Sequence, residues 1–238
     1  MVKNAWTKVY RELTRLVDSV GGDILFFRDH SDESWKLLPR IARLTGTQGT
    51  QTEEIAYFDF VTKAGDLLPE SSSAWAVPLA MQHHGFPTRL LDWTETLAVA
   101  LLFALLDSRG DASVWILDPF ALNNATLREQ RLLRPSDLGS TYEEYFIKHS
   151  EELGAPIVAL SPLRHHPRIL RQRGAFTLHD NLSKPLEELV PGVVRKVVIP
   201  KQAHEDAANF LQHAGISEFA LFPDLDGLSR ELRRQYFE

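Results

Sequence analysis

The sequence predicts a mixed α+β fold in a single domain spanning residues 1–238. Two observations carry this. Segments of helical period alternate with short apolar, β-branched runs, without the regular strand–helix–strand beat of a doubly wound sheet. No Pro-, Gly- or Ser-rich linker and no internal repeat divides the chain.

The elements follow in order. Trp6 to Val20 places Val9, Leu13, Leu16 and Val17 on one face, so it reads as an amphipathic helix capping the domain, and Gly21-Gly22 stops it. Ile24-Leu25-Phe26-Phe27 is a short apolar run that fits a buried strand. It leads straight into Arg28-Asp29-His30. Residues 45–52 are polar and Gly-punctuated and are expected to form a loop. Glu53 to Leu67 repeats apolar residues at helical spacing, and a second helix is expected from Ser73 to His84 despite Pro78. Arg89 to Asp92 suits an extended segment. Thr94 or Thr96 then caps an almost wholly apolar helix from Leu97 to Leu106, which must be central and buried. Further strands are expected at Ser113–Leu117, Ile157–Leu160, Ala175–Leu178, Val193–Ile199 and Phe219–Phe222. Asn123 to Ser150 reads as irregular apart from a helix near Tyr142–His149. Helices at Lys201–Ala214 and Asp224–Phe237 complete the chain.

Composition narrows the function. The 238 residues hold 26 Lys and Arg against 32 Asp and Glu, a formal charge of −6, which argues against a dedicated duplex-DNA binder. The absence of cysteine removes disulfides, thiolate nucleophiles and sulfur-based zinc sites. The longest apolar run falls well short of the ~20 residues of a membrane span, and no signal-peptide pattern opens the chain, so a cytoplasmic location without membrane partners is expected. Adjacent histidines, His83-His84 and His165-His166, diverge on any regular element and offer one ligand per pair, so no metal site is expected. No P-loop, Rossmann or nucleophile-elbow pattern occurs.

The chemistry concentrates in residues 81–94, Met-Gln-His-His-Gly-Phe-Pro-Thr-Arg-Leu-Leu-Asp-Trp-Thr. Polar groups this dense among apolar residues must bond to one another or to a ligand. Arg89 and Asp92, three apart, can pair within a structural network, which is the alternative to a binding site.

Three local patterns favour a site. They are Phe27-Arg28-Asp29 followed by Trp35-Lys36-Leu37-Leu38-Pro39-Arg40; Gln82 to Thr94 followed by an Ala-rich helix; and Pro167 to Phe176 with Leu221 to Leu228 later. In this order they resemble the FRG domain, a family named for a Phe-Arg-Gly motif, over roughly residues 24–232. Asp29 stands where that motif has Gly. A second likeness is to ADP-ribosyltransferases of the Arg-Ser-Glu type, through Arg28 at a strand end, Asp92-Trp93-Thr94 before a helix, and Gln172-x-Gly174. It implies helices around a small, mainly antiparallel split sheet, with NAD as substrate.

On that likeness Arg28, Thr94 and Gln172 are the catalytic candidates. Phe27, His83, His84, Arg89, Asp92 and Trp93 would line the dinucleotide, with Trp35 as a further stacking wall. A rigid, permanently charged guanidinium at Arg28 suits a pyrophosphate. The usual Glu of the third motif is Gly174 here, so Asp92, Asp224 or Asp226 would have to supply the carboxylate. The implied activity is ADP-ribose transfer to a macromolecular acceptor, protein or nucleic acid, by a toxin or phage-defence effector with an antitoxin or immunity partner. A nucleotide- or nucleic-acid-binding module without turnover is the alternative. A metal-dependent hydrolase built on the histidines and Asp92 is a third.

Overall fold

A computed structural model describes residues 3–45, 49–68, 74–161 and 173–237. Its helices in chain order are α1 (Lys3–Val20), α2 (Arg40–Thr45), α3 (Gly49–Ala64), α4 (Ala76–His83), α5 (Leu97–Leu106), α6 (Pro119–Leu127), α7 (Tyr142–Phe146), α8 (Leu186–Leu189), α9 (His204–His213), α10 (Glu218–Leu221) and α11 (Leu225–Phe237). The strands are β1 (Phe26–His30), β2 (Leu90–Thr94), β3 (Ala112–Leu117), β4 (Ile157–Leu160), β5 (Gly174–His179) and β6 (Val194–Ile199). They form one sheet in the order β4-β5-β2-β1-β3-β6, and every neighbouring pair is antiparallel. The α+β expectation holds.

Pairing is extensive within each half of the sheet. Phe26 to His30 pairs along β3 from Leu117 to Ser113, and Leu90 to Thr94 pairs along β5 from Leu178 to Gly174. Between the halves, β1 and β2 meet at one register position, Phe27 opposite Thr94, and then part. The sheet is therefore nearly split at its centre.

Side chains alternate across a strand, so the Phe27–Thr94 pair fixes which faces correspond. On one face, Phe27, Val114, Ile116, Val197 and Ile199 pack against α1, α5 and α9. On the same face beyond the junction, Leu90, Phe176, Leu178, Val158 and Leu160 meet α3, α4 and α7. The opposite face carries Phe26, Leu91, Trp93, Trp115, Ala175 and Ile157 under α6, α8 and Leu37. As its apolar sequence requires, α5 is central, with Val99, Ala100, Leu101 and Ala104 buried.

Beyond α2 and α8, which no sequence pattern announced, three segments depart from expectation. Gly49–Thr52, expected in a loop, opens α3. Phe219–Phe222, read as a strand, lies within helical structure at α10: Ser217 accepts from the Ala220 N–H, and buried Glu218 pairs with Arg230 and Arg234 of α11. Four apolar residues cannot reveal their period, and the ion pairs decide it. The stretch after Asp118-Pro119 is helical rather than irregular. Asp118 accepts from the N–H groups of Phe120 and Ala121, both at 2.9 Å, and Pro119 occupies the first turn. From α6, buried Asn123 exchanges hydrogen bonds with the backbone of Ala159, covering the edge strand β4.

Two buried histidines lie on that opposite face of the sheet. Trp115 Nε1 donates to His30 Nδ1 at 3.2 Å, and Trp93 Nε1 donates to Thr177 Oγ1 at 3.0 Å, which lies 2.9 Å from His179 Nε2. Burial first, then the charge of Arg28, pushes both imidazoles from 6.5 to about 3. A lowered folded-state value means the unfolded chain takes up protons first as pH falls. Stability is therefore intact above the ordinary histidine range and declines below it, by roughly 1.4 kcal/mol per pH unit for each histidine. Urea denaturation between about pH 7 and 5 should show this loss, and His179→Leu should reduce its slope by about half. An unchanged slope in that variant would mean His179 is not neutral in the fold.

Candidate functional site

The site begins where β1 leaves β2. Splaying strands strand a backbone carbonyl that the ladder would otherwise satisfy, and a buried orphan of this kind is costly. Arg28 answers it: Nη1 donates to the Asp92 carbonyl oxygen at 2.5 Å. The Arg28 Nε is buried with no hydrogen-bond partner among the described residues. Arg28 is thus a structural clip whose buried Nε keeps one unspent donor among the described residues.

Helix α2 brings two more guanidinium groups. Arg40 donates from Nη1 to the Gly85 carbonyl at 2.7 Å. Arg43 is held below the usual arginine value by burial, then by the charges of Arg28 and Arg40, with Asp92 pulling the other way. Mutual repulsion among three cations is the signature of a place prepared for an anion. Beside Arg28, burial raises the Asp29 carboxyl, with the Arg28 charge and its own backbone N–H opposing.

Asp92 faces outward from β2 and is exposed. Gln82 of α4 donates from Nε2 to its Oδ2 at 2.6 Å, Thr88 Oγ1 donates to Gln82 Oε1 at 2.5 Å, and the Leu90 N–H donates to Thr88 Oγ1 at 3.1 Å. Thr88 is fully buried, so this relay anchors a surface carboxylate to the interior. Gln82, Thr88, Arg40 and Arg43 were not among the sequence candidates. Gln82 and Thr88 lie in the polar stretch of residues 81–94 and Arg40 in the first motif, so those signals reached three of them without assigning a role. The i, i+3 spacing from Arg40 is the signal that reaches Arg43.

The motif segments converge on one row of the sheet. Phe27 pairs with Thr94, and Thr94 pairs with Gly174 on its other side. The Glu95 N–H donates to the Arg173 carbonyl at 3.0 Å, and Arg173 takes φ 46°, a left-handed turn into β5. Gln172 lies outside the described residues. Thr94 is buried, and its hydroxyl accepts from the Thr96 N–H at 3.1 Å where α5 begins. Phe27 and Trp93 are core residues on opposite faces, supporting the junction from within. Trp35 is 46% exposed, its ring edge-on to His30 at 5.9 Å. His83 and His84 end α4 with their rings 5.1 Å apart and nearly perpendicular. Asp224 accepts from the Gly227 N–H at the start of α11. No group of three or more His, Cys, Asp or Glu placed to hold a metal ion occurs among the described residues.

Arg89 pairs elsewhere than with Asp92. Its Nε donates to Glu53 Oε2 at 2.8 Å and its Nη1 to the Asp180 carbonyl at 2.8 Å, and its guanidinium lies 4.6 Å from the Phe146 ring centre. Tyr142 donates to the other Glu53 oxygen at 2.6 Å and accepts from the Arg89 N–H. Glu53 and Arg89 are both almost wholly buried. Removing one partner leaves an uncompensated interior charge. Arg89→Met is therefore expected to lower unfolding free energy by about 3–5 kcal/mol, and Arg89→Met with Glu53→Leu to recover part of it. Denaturant titration checks this, and a single variant as stable as wild type would refute the buried pair.

Residues 23–113 match the family model of the FRG domain. The match contains β1, α2, α4 and β2, and hence the Arg28–Asp92 junction and its arginines; the motifs expected beyond residue 113 lie outside it. No curated protein and no solved structure matches the chain. No helix among the described residues is long and apolar enough to cross a membrane.

Proposed function

We propose that the FRG domain of this chain binds NAD across the β1–β2 junction and transfers its ADP-ribose to a macromolecular acceptor in the cytoplasm. One observation carries the reading: Phe27, Thr94 and Gly174 occupy one row of three neighbouring strands, and beside it Arg28 holds the Asp92 carbonyl while its buried Nε has no partner among the described residues. Chemistry-bearing segments far apart in sequence are thereby brought to one row of the sheet.

The roles follow from charge. Arg28, with Arg40 and Arg43 behind it, neutralises the pyrophosphate, and a planar fork suits that bidentate task. Trp35 offers an exposed ring against which a nucleotide can stack. In the transfer the bond between ribose C1′ and the nicotinamide nitrogen breaks, and nicotinamide leaves with the electron pair. The acceptor nucleophile bonds to C1′, and its proton passes to the Asp92 carboxylate. As positive charge develops on the ribose, the same carboxylate, held in place by Gln82, stabilises it. Thr94 braces the strand end beneath the ribose, and Gln172 would meet the acceptor.

Gly174, where a glutamate is expected, favours a second reading: a nucleotide-binding module without turnover. Purified protein incubated with NAD labelled in the adenylate phosphate, in host-cell lysate, separates the two. Transfer of label to protein or nucleic acid is expected, with Arg28→Ala and Asp92→Asn each slowing it by about 10²–10³-fold. Asp92→Asn should retain NAD binding, whereas Arg28→Ala should weaken it. Gln82→Ala should lower kcat by about tenfold with little change in KM, because a loosened carboxylate loses orientation rather than affinity. Label bound but never transferred would establish the binding module instead.

A further inference from the structure

Behind the arginines of α2 lies a second feature that the transfer chemistry does not use. A cavity of about 260 Å³ opens between α2, α3 and α4, walled by Ile41, Leu44, Tyr57, Met81, Phe86 and Tyr142. Glu53 also lines it, with one carboxylate oxygen accepting from Tyr142 and the other from Arg89. Glu53 is 4% exposed and Tyr142 1% exposed, so a carboxylate is set deep in a largely apolar chamber whose other polar lining is Thr52 and the tyrosines.

We propose that this cavity receives an adenine-type base, an aromatic ring system bearing an exocyclic amine. This rests on the nucleotide reading of the site and assigns the place of the base within it. Three features select such a ligand. Sites for drug-sized molecules run to roughly 300–1,000 Å³, so this chamber is sized for a single ring system rather than a whole dinucleotide. Its aromatic and apolar walls suit a flat ring, which is stabilised by stacking and burial. Each Glu53 oxygen has one donor and keeps lone-pair capacity, so the wall asks for an N–H donor and disfavours a carbonyl. The connection to the anion site is built into the helices: α2 sends Ile41 and Leu44 to the cavity and carries Arg40 and Arg43, while α4 sends Met81 to it and Gln82 to Asp92. A base seated here leads its phosphates toward those arginines.

The test is calorimetric titration of the full chain with AMP, IMP and ribose 5-phosphate. AMP differs from IMP by the amine, and ribose 5-phosphate lacks the base. AMP is expected to bind at least tenfold more tightly than IMP and ribose 5-phosphate. Ala56→Phe, which fills the cavity from α3, should remove the advantage of AMP while leaving ribose 5-phosphate binding within twofold of wild type. The smaller Ala56→Leu, compared by thermal melting, should give an intermediate loss. Equal binding of AMP and ribose 5-phosphate, or AMP binding untouched by both variants, overturns the proposal. AMP carries no nicotinamide, so the two readings fail separately. AMP binding that Ala56→Phe abolishes, in a protein that never consumes NAD, sustains the cavity and removes the transferase. NAD turnover with AMP binding indifferent to Ala56 does the reverse.

Discussion

The whole arrangement hangs on one open seam. A six-stranded antiparallel sheet would ordinarily be continuous through its centre, yet β1 and β2 share one paired position and then separate. The separation exposes backbone groups that must be satisfied, and Arg28 reaches across to the Asp92 carbonyl to do so. The guanidinium therefore sits at the mouth of the cleft because the fold itself requires it there. Its remaining N–H groups are oriented by that first bond, and pre-orientation removes part of the entropy that a free arginine would lose on binding an anion.

Rigidity beneath the seam comes from the polar networks on either side. On one face, Gln82 and Thr88 tie the Asp92 carboxylate to the end of α4 and the start of β2. One layer deeper, Glu53, Arg89 and Tyr142 lock α3, β2 and α7 together. A buried pair of this kind seldom adds net stability over an apolar core, but it tolerates few alternative packings. On the other face, Trp93, Thr177 and His179 join β2 to β5 through their side chains. The cations of α2 repel one another and Arg28, with Asp92 opposing them and the Asp29 carboxyl beside Arg28, so positive charge is concentrated there.

Much of this was legible in the sequence. The apolar run of α5, the amphipathic period of α1 and the β-branched strands state their burial directly, because one face or all faces must leave water. The density of polar residues from Gln82 to Thr94 marked the site for the same reason: such groups must be bonded. What could not be read is which partner each one takes. Arg89 finds Glu53, distant in sequence, and no local spacing encodes that pairing. Gln82 reaches Asp92 only because α4 ends beside β2. Phe219–Phe222 was misread because four residues do not define a period, and its helix depends on ion pairs from α11.

The glycine at position 174 bears on where a carboxylate can act. Gly174 pairs with Thr94, and Phe176 pairs with Asp92, so positions 92, 94, 174 and 176 share one face of the sheet. A glutamate at 174 would project beside Thr94 from the far side of β2. Asp92 projects from β2 itself, two residues along and one strand nearer to Arg28, a displacement of roughly 7 Å along the strand and 5 Å across it. On β2 the carboxylate shares its face with Thr94 and position 174, while Arg28 comes from the alternate face of β1 and reaches the Asp92 carbonyl. The Gln82 contact has a clear purpose in that case, since an aspartate on a strand edge otherwise samples several rotamers in water. Under the proposed transfer, Asp92 of β2 rather than a residue of β5 carries the carboxylate role, and the relay from Thr88 through Gln82 holds it in place.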